Sequence, residues 1–222
     1  MNIEKLLIGL ASVVVGWILA QFTSVAKDRL YARKIRKALL EELSELKSEL
    51  DRTVMILSRQ LQIHGLEGID NVAPVPISNH IFSNYYKDAV LTLNKEQRIS
   101  YQLINTLIGT LNDSLSNHKE HTESLQSQTM RVGKESLTKS DYRHWGEGVI
   151  SLYEQANSTQ WYIRYHLSRP ENPGLLPYTK EHENYLKFLQ KVNEKSKEII
   201  ENAKGLDKES FENVYNPEHF SK

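Results

Sequence analysis

The chain has 222 residues, 39% of them hydrophobic and 25% charged, which is enough for one anchor segment and one modest globular domain but not for two domains. Lysine plus arginine equals aspartate plus glutamate at 28 each, so no global field draws the protein to nucleic acid, and affinity for a polyanion would have to come from a local cluster. There are no cysteines, which excludes disulfides, thiolate metal sites and cysteine nucleophiles.

In chain order, the first element is Leu6 to Phe22, LLIGLASVVVGWILAQF, which carries no charge and only Ser12 and Gln21 as polar side chains. At 1.5 Å per residue it spans ~25 Å, short of the ~30 Å hydrocarbon core of a bilayer. Lys5 and Lys27 can snorkel to the headgroups, and Trp17 and Phe22 fall near an interface that favours aromatic rings. Three competing readings are weaker. A cleaved signal peptide wants small residues spaced like Ala-x-Ala, but Ile18 precedes Ala20. A buried core helix would need cover around its whole circumference, and an in-plane helix would need a polar face.

Lys27, Arg29, Arg33, Lys34, Arg36 and Lys37 follow the span, opposed only by Asp28. Basic flanks stay cytoplasmic, so a single-pass protein of a bacterial-type inner membrane is expected, N-terminus out and the C-terminal domain in the cytoplasm. The same cations would lie against anionic lipid. Within the span, Gly9, Ser12, Gly16 and Ala20 share one helical face as a small-xxx-small ladder, the pattern through which such helices associate into homo-oligomers.

Residues 1–25 are therefore read as the anchor and 26–64 as a long amphipathic helix or stalk, with Ile35, Leu39, Leu43, Leu46, Leu50, Val54, Leu57 and Leu61 as one stripe. That stripe needs a partner, either a second copy of the chain or the protein's own later helices. Residues 65–79 hold two glycines and two prolines and form a loop. Residues 80–205 give a helical bundle. Ser78 or Asn79 caps its first short segment, and Asn94 with Gln97 starts a longer helix whose expected buried face is Ile99, Leu103, Ile104, Leu107, Leu111 and Leu115.

The tract Ser116–Thr138 turns polar and reads as a fraying end with a mobile connection. Ser140 caps a helix over 141–167 with Trp145, Val149, Leu152, Tyr153, Ala156, Ile163 and Leu167 on one face. Thr179 caps the last helix, which ends at Gly205, and 206–222 form a C-terminal tail. No strand alternation occurs, so the fold expected is all-α: one transmembrane helix continuing into a stalk, then four to five packed helices.

The short span with Gly16-Trp17 and Gln21, the basic exit, the acidic, leucine-rich helix and the later YYKDAVLTLN segment together resemble widespread uncharacterised bacterial membrane-anchored helical proteins. The likeness covers roughly residues 3 to 112 and implies the architecture, with no activity attached.

Candidate chemistry is sparse. Arg59 and His64 match the spacing of the basic pair in helical HEPN-type ribonucleases, though such a pair arises readily by chance. His118 and His121 lie three apart on a polar tract, where solvated histidines are the simpler reading than a metal site, and no metal or cofactor is expected. The region Tyr142–Arg169 gathers Arg143, Trp145, Trp161, Arg164 and His166, a combination suited to a small anionic or nucleotide ligand through charge-assisted bonds and stacking. No phosphate loop, nucleophile elbow, zinc-protease helix or calcium loop is present, which argues against an enzyme. The leading expectation is a membrane-anchored scaffold that self-associates and presents a helical domain to a cytoplasmic protein. Two alternatives are an effector or sensor, in phage defence for example, that binds a small anionic ligand, and a helical ribonuclease.

Overall fold

The computed structural model of the chain describes residues 3–133 and 136–206. Of the expected C-terminal tail, residues 207–222 lie outside the described residues, as do the side chains of residues 4–8, Lys5 among them. Among the described residues the chain is all-helical, with five helices and no strand.

Helix α1 runs unbroken from Ile3 to Gly65, 63 residues, or ~94 Å at the α-helical rise. No glycine or proline interrupts it between Trp17 and His64. Its serine and threonine hydroxyls turn back on the helix itself: Thr23 to Leu19, Ser44 to Leu40, Thr53 to Glu49 and Ser58 to Val54 all donate to the carbonyl one turn earlier. The expected helical continuation from the apolar segment into residues 26–64 is thus one unbroken helix.

From Ala32 onward the leucine stripe is buried, with Leu39, Leu50, Leu57 and Leu61 at 1% exposure or less. The cover comes from the protein's own later helices, chiefly α4 and α5, with α2 lying against α1 as well. This corrects the expectation of a stalk followed by a bundle. Residues 32–64 are a bundle helix, and only the N-terminal part of α1 extends beyond its neighbours.

Helix α2 (His80–Ala89) leads through a 3-10 turn at Val90–Thr92 into α3 (Lys95–Val132). The capping box of Asn94 and Gln97 is present in both directions. Helix α3 continues well past the expected fraying point. Leu115, His118, Thr122 and Leu125 stay buried, so the polar tract through Val132 is helix rather than mobile connection. Its buried face is also rotated from the one expected: Tyr101, Ile104, Ile108, Leu111 and Leu115 are inside, while Ile99 and Leu103 are exposed. Helix α4 (Lys139–Ser168) starts two residues before the expected Asp141. Thr138 caps it, and Asp141 returns the bond to the Thr138 amide. Helix α5 (Lys180–Ala203) is capped by Thr179.

The side-chain partnerships give the topology. Asp51 meets Gln160 and Arg164, and Arg36 meets Glu171, so α4 runs antiparallel to α1. Ser100 meets His166 and Thr122 meets Trp145, so α4 is antiparallel to α3 too. Ser158 with Tyr185 and Glu154 with Asn193 repeat the relation for α5. Helix α4 is thus the shared neighbour of the other long helices.

Between α1 and α3 runs the segment 66–79, which acts as a strap. The Gln60 amide donates to the Val72 carbonyl at 2.7 Å, and Asn112 holds both the amide and the carbonyl of Ile77 at 2.9 and 2.8 Å. Asn79, at the N-cap position of α2, makes no side-chain cap. Glu42 of α1 does that work instead, accepting from the amides of Ile81 and Phe82. Burial of Glu42 raises its pKa, and the two amide bonds oppose the rise.

Candidate functional site

The five residues read as a ligand cluster all sit on α4, and the structure spreads them along it. Arg143 and His166 are 23 positions apart, ~35 Å at the helical rise. Trp145 is fully buried, and its indole N–H donates to Thr122 Oγ1 at 3.0 Å. His166 is 1% exposed, bonded to Ser100 Oγ at 2.9 Å and tilted against the Tyr101 ring. Burial lowers its pKa to about 4, so the ring is neutral at pH 7. Both are core residues, and the structure does not bring either side chain to the surface where the other members of the expected site lie.

Arg164 pairs with Asp51 across to α1 at 3.2 Å, and exposed Arg143 lies 4.0 Å from Glu147 on its own helix. Trp161 stacks on Tyr165 at 5.1 Å and meets Tyr162 and Tyr185, an aromatic seam between α4 and α5. No single pocket contains the five.

Arg59 and His64 are also separated. Five positions on a helix differ by ~140°, and the two side chains follow that divergence. Arg59 reaches Asp70 of the strap at 3.9 Å, whereas the His64 ring packs against Gly146 of α4 so closely that a methyl there would overlap it. His118 and His121 are not a solvated pair. His118 is 9% exposed, with Nδ1 turned to Gly148, and burial lowers its pKa to about 4, with His121 and His144 adding to the effect. Among the described residues no three histidine, aspartate or glutamate side chains converge to hold a metal ion.

The ladder of Gly9, Ser12, Gly16 and Ala20 lies on the exposed part of α1, and added methyl groups at Gly9 or Gly16 would meet nothing.

What the structure does assemble is a cleft at the end of the bundle opposite the N-terminal part of α1. Three adjoining cavities flank strap residues 67–73. One, about 370 Å³, is lined by His64, Glu67, Leu137, Lys139, Tyr142 and Arg143. The second, about 430 Å³, shares Glu67, Leu137 and Tyr142 and adds Ile69, Leu125 and Met130 among others. The third, about 160 Å³, is polar and includes Gln60, Asp70, His118, Lys119, Thr122 and Glu123. Gln60 Oε1 and His118 Nε2 there have no hydrogen-bond partner, and Asp70 Oδ2 has only the longer ion pair to Arg59.

Buried polar atoms of this kind are normally satisfied by water or by a bound polar group. His64 Nδ1 is likewise unpaired, and burial lowers the His64 pKa against the pull of Glu147. The cleft can therefore offer neutral imidazole and amide acceptors beside the exposed cations Lys139 and Arg143. It joins His64 and Arg143, which the sequence pattern assigns to separate candidate sites. Glu42, Gln60 and Asp70 had no signal in the sequence, since a lone polar residue on a helix or in a loop carries no pattern.

Compared with models of protein families, with curated proteins and with solved structures, the chain gives no match.

Proposed function

We propose that the protein is a single-pass membrane-anchored helical scaffold that self-associates and presents its bundle to a cytoplasmic partner protein. One observation carries the reading. The N-terminal part of α1 is the single candidate among the described helices long and apolar enough to cross a membrane, and none of it is covered by the protein. Trp17 is 65% exposed and Val13 72%. A soluble protein rarely leaves an apolar surface of that extent in water, whereas a bilayer covers it without further structure.

The cationic run Lys27–Lys37 supports an inner-membrane orientation with the bundle in the cytoplasm. The ladder of small residues, open on one face, is the surface through which copies would associate. Because the leucine stripe is already buried within one chain, association falls to the anchor rather than to a stalk. The test is extraction of membranes at alkaline pH, followed by the mass of the detergent-solubilised protein. Retention in the membrane pellet and a mass above one chain that drops on Gly16→Leu are expected. Release into the supernatant as a monomer would overturn the reading.

The sensor alternative is supported by the cleft at His64 and Arg143 rather than by the dispersed aromatic cluster. It requires that a phosphate-bearing small molecule raise the melting temperature of the native chain and not that of Arg143→Ala. No shift across common nucleotides counts against it.

A further inference from the structure

Leu91 is 93% exposed, more than any other leucine among the described residues, and it sits at the tip of the turn Val90–Thr92 that ends α2. Its height along α1 can be read from two contacts. Glu42 caps the start of α2, and Tyr31 donates to Asp88 near its end at 3.3 Å, so α2 runs antiparallel to α1, back toward the N-terminal apolar stretch. Tyr31 is four residues, ~6 Å, past Lys27, and Leu91 lies three residues, ~5 Å, beyond Asp88 in the opposite direction. Leu91 is therefore level with Lys27 to within a few ångströms.

The uncharged stretch of α1 runs past Phe22 to Ala26, ~31 Å in all, which matches the hydrocarbon core better than the 17-residue segment and moves its inner edge from Phe22 to Ala26, with Trp17 inside the core. At the level of Lys27 a side chain stands in the headgroup layer. Charge at that level fits the placement. Exposed Lys27, Arg29, Arg33 and Lys34 ring the exit of α1, and exposed Lys87 and Lys95 bracket Leu91 in the chain, against Asp28, Asp88 and half-buried Glu96. Leu30 and Tyr31, each at least half exposed, complete an apolar and aromatic patch of the kind that favours a bilayer interface.

We propose that the Val90–Thr92 turn is a second membrane contact, with Leu91 inserted at the boundary of headgroups and acyl chains and the flanking cations on anionic lipid. Two contacts fix the bundle's tilt and its rotation about α1, so the cleft is held at a set distance from the bilayer. This rests on the anchor reading above, and the experiment separates the two.

The chain has no cysteine, so single substitutions Val15→Cys, Leu91→Cys and Met130→Cys can each carry one fluorophore on the full-length protein. The proteins are reconstituted into vesicles of phosphatidylethanolamine and phosphatidylglycerol that contain, in separate samples, a lipid with its nitroxide quencher at the headgroup boundary, which reads Leu91, or at the end of the acyl chain, which reads Val15. Quenching at Val15 and Leu91 severalfold stronger than at Met130 is expected. Quenching at Val15 with Leu91 at the Met130 level overturns the turn contact and leaves the anchor standing. Absence of quenching at all three overturns both. Equal quenching at Leu91 and Met130 means that the bundle lies along the bilayer, which also overturns the specific contact.

Discussion

His118 and His166 illustrate how much of this bundle depends on neutral polar groups inside it. Both rings are buried and both folded-state pKa values fall to about 4, against an ordinary 6.5. The unfolded chain therefore takes up two protons between pH 6.5 and 4 that the folded chain does not. Their contribution is fully present above pH 6.5 and is lost as pH falls toward 4, each histidine steepening the loss by about 1.4 kcal/mol per pH unit in that window. Urea denaturation of the bundle between pH 7 and 4.5 checks this, and His166→Gln is expected to reduce the slope by about one proton.

A second residue-level prediction concerns Gly146, whose backbone leaves no room for a methyl beside the His64 ring. Gly146→Ala is expected to destabilise by about 1–3 kcal/mol through overpacking. His64→Ala in the same chain should restore most of the loss, and additive effects in that double-mutant cycle would contradict the contact.

At the scale of elements, α2 depends on a cap supplied by another helix. Its own N-cap residue Asn79 makes no cap bond, and the Glu42 carboxylate takes the first amides. Glu42→Ala is expected to cost about 1–2 kcal/mol, in the range of a lost N-cap. It should also speed hydrogen exchange at Ile81 and Phe82, whereas Glu42→Gln, which keeps an acceptor, should largely spare them.

The elements also show where sequence reading reaches its limit. Period and capping chemistry are local, so the α1 stripe, the Asn94–Gln97 box and the Thr179 cap were legible. The second half of α3 was not, because its inward face is built from His118 and Thr122 as well as from leucines, and their burial depends on Trp145 of a helix still to come. The five residues read as a ligand cluster are dispersed for a related reason. Arg143, Trp145, Trp161, Arg164 and His166 are close in composition, yet the helical rise separates the outermost pair by ~35 Å, and burial claims two of the five. The cleft that does form combines residues from α1, the strap, α3 and α4, which no window of sequence contains.

For the whole molecule, the central feature is that one helix is both the exposed apolar stretch and the bundle's spine. Here no glycine or proline lies between Trp17 and His64, and the stripe from Ala32 to Leu61 is locked by α4 and α5. A rotation or tilt of the apolar stretch would therefore be transmitted to the bundle, and to the cleft at its far end, without loss in a hinge.

The most direct test is a distance between spin labels on full-length protein in lipid nanodiscs, with Leu19→Cys and Arg52→Cys, both exposed, as the two sites. These positions are 33 residues apart, so a single continuous helix predicts a narrow distribution near ~50 Å. A broad distribution centred well below that value would mean that α1 breaks between the exposed apolar stretch and the bundle, and would contradict the account.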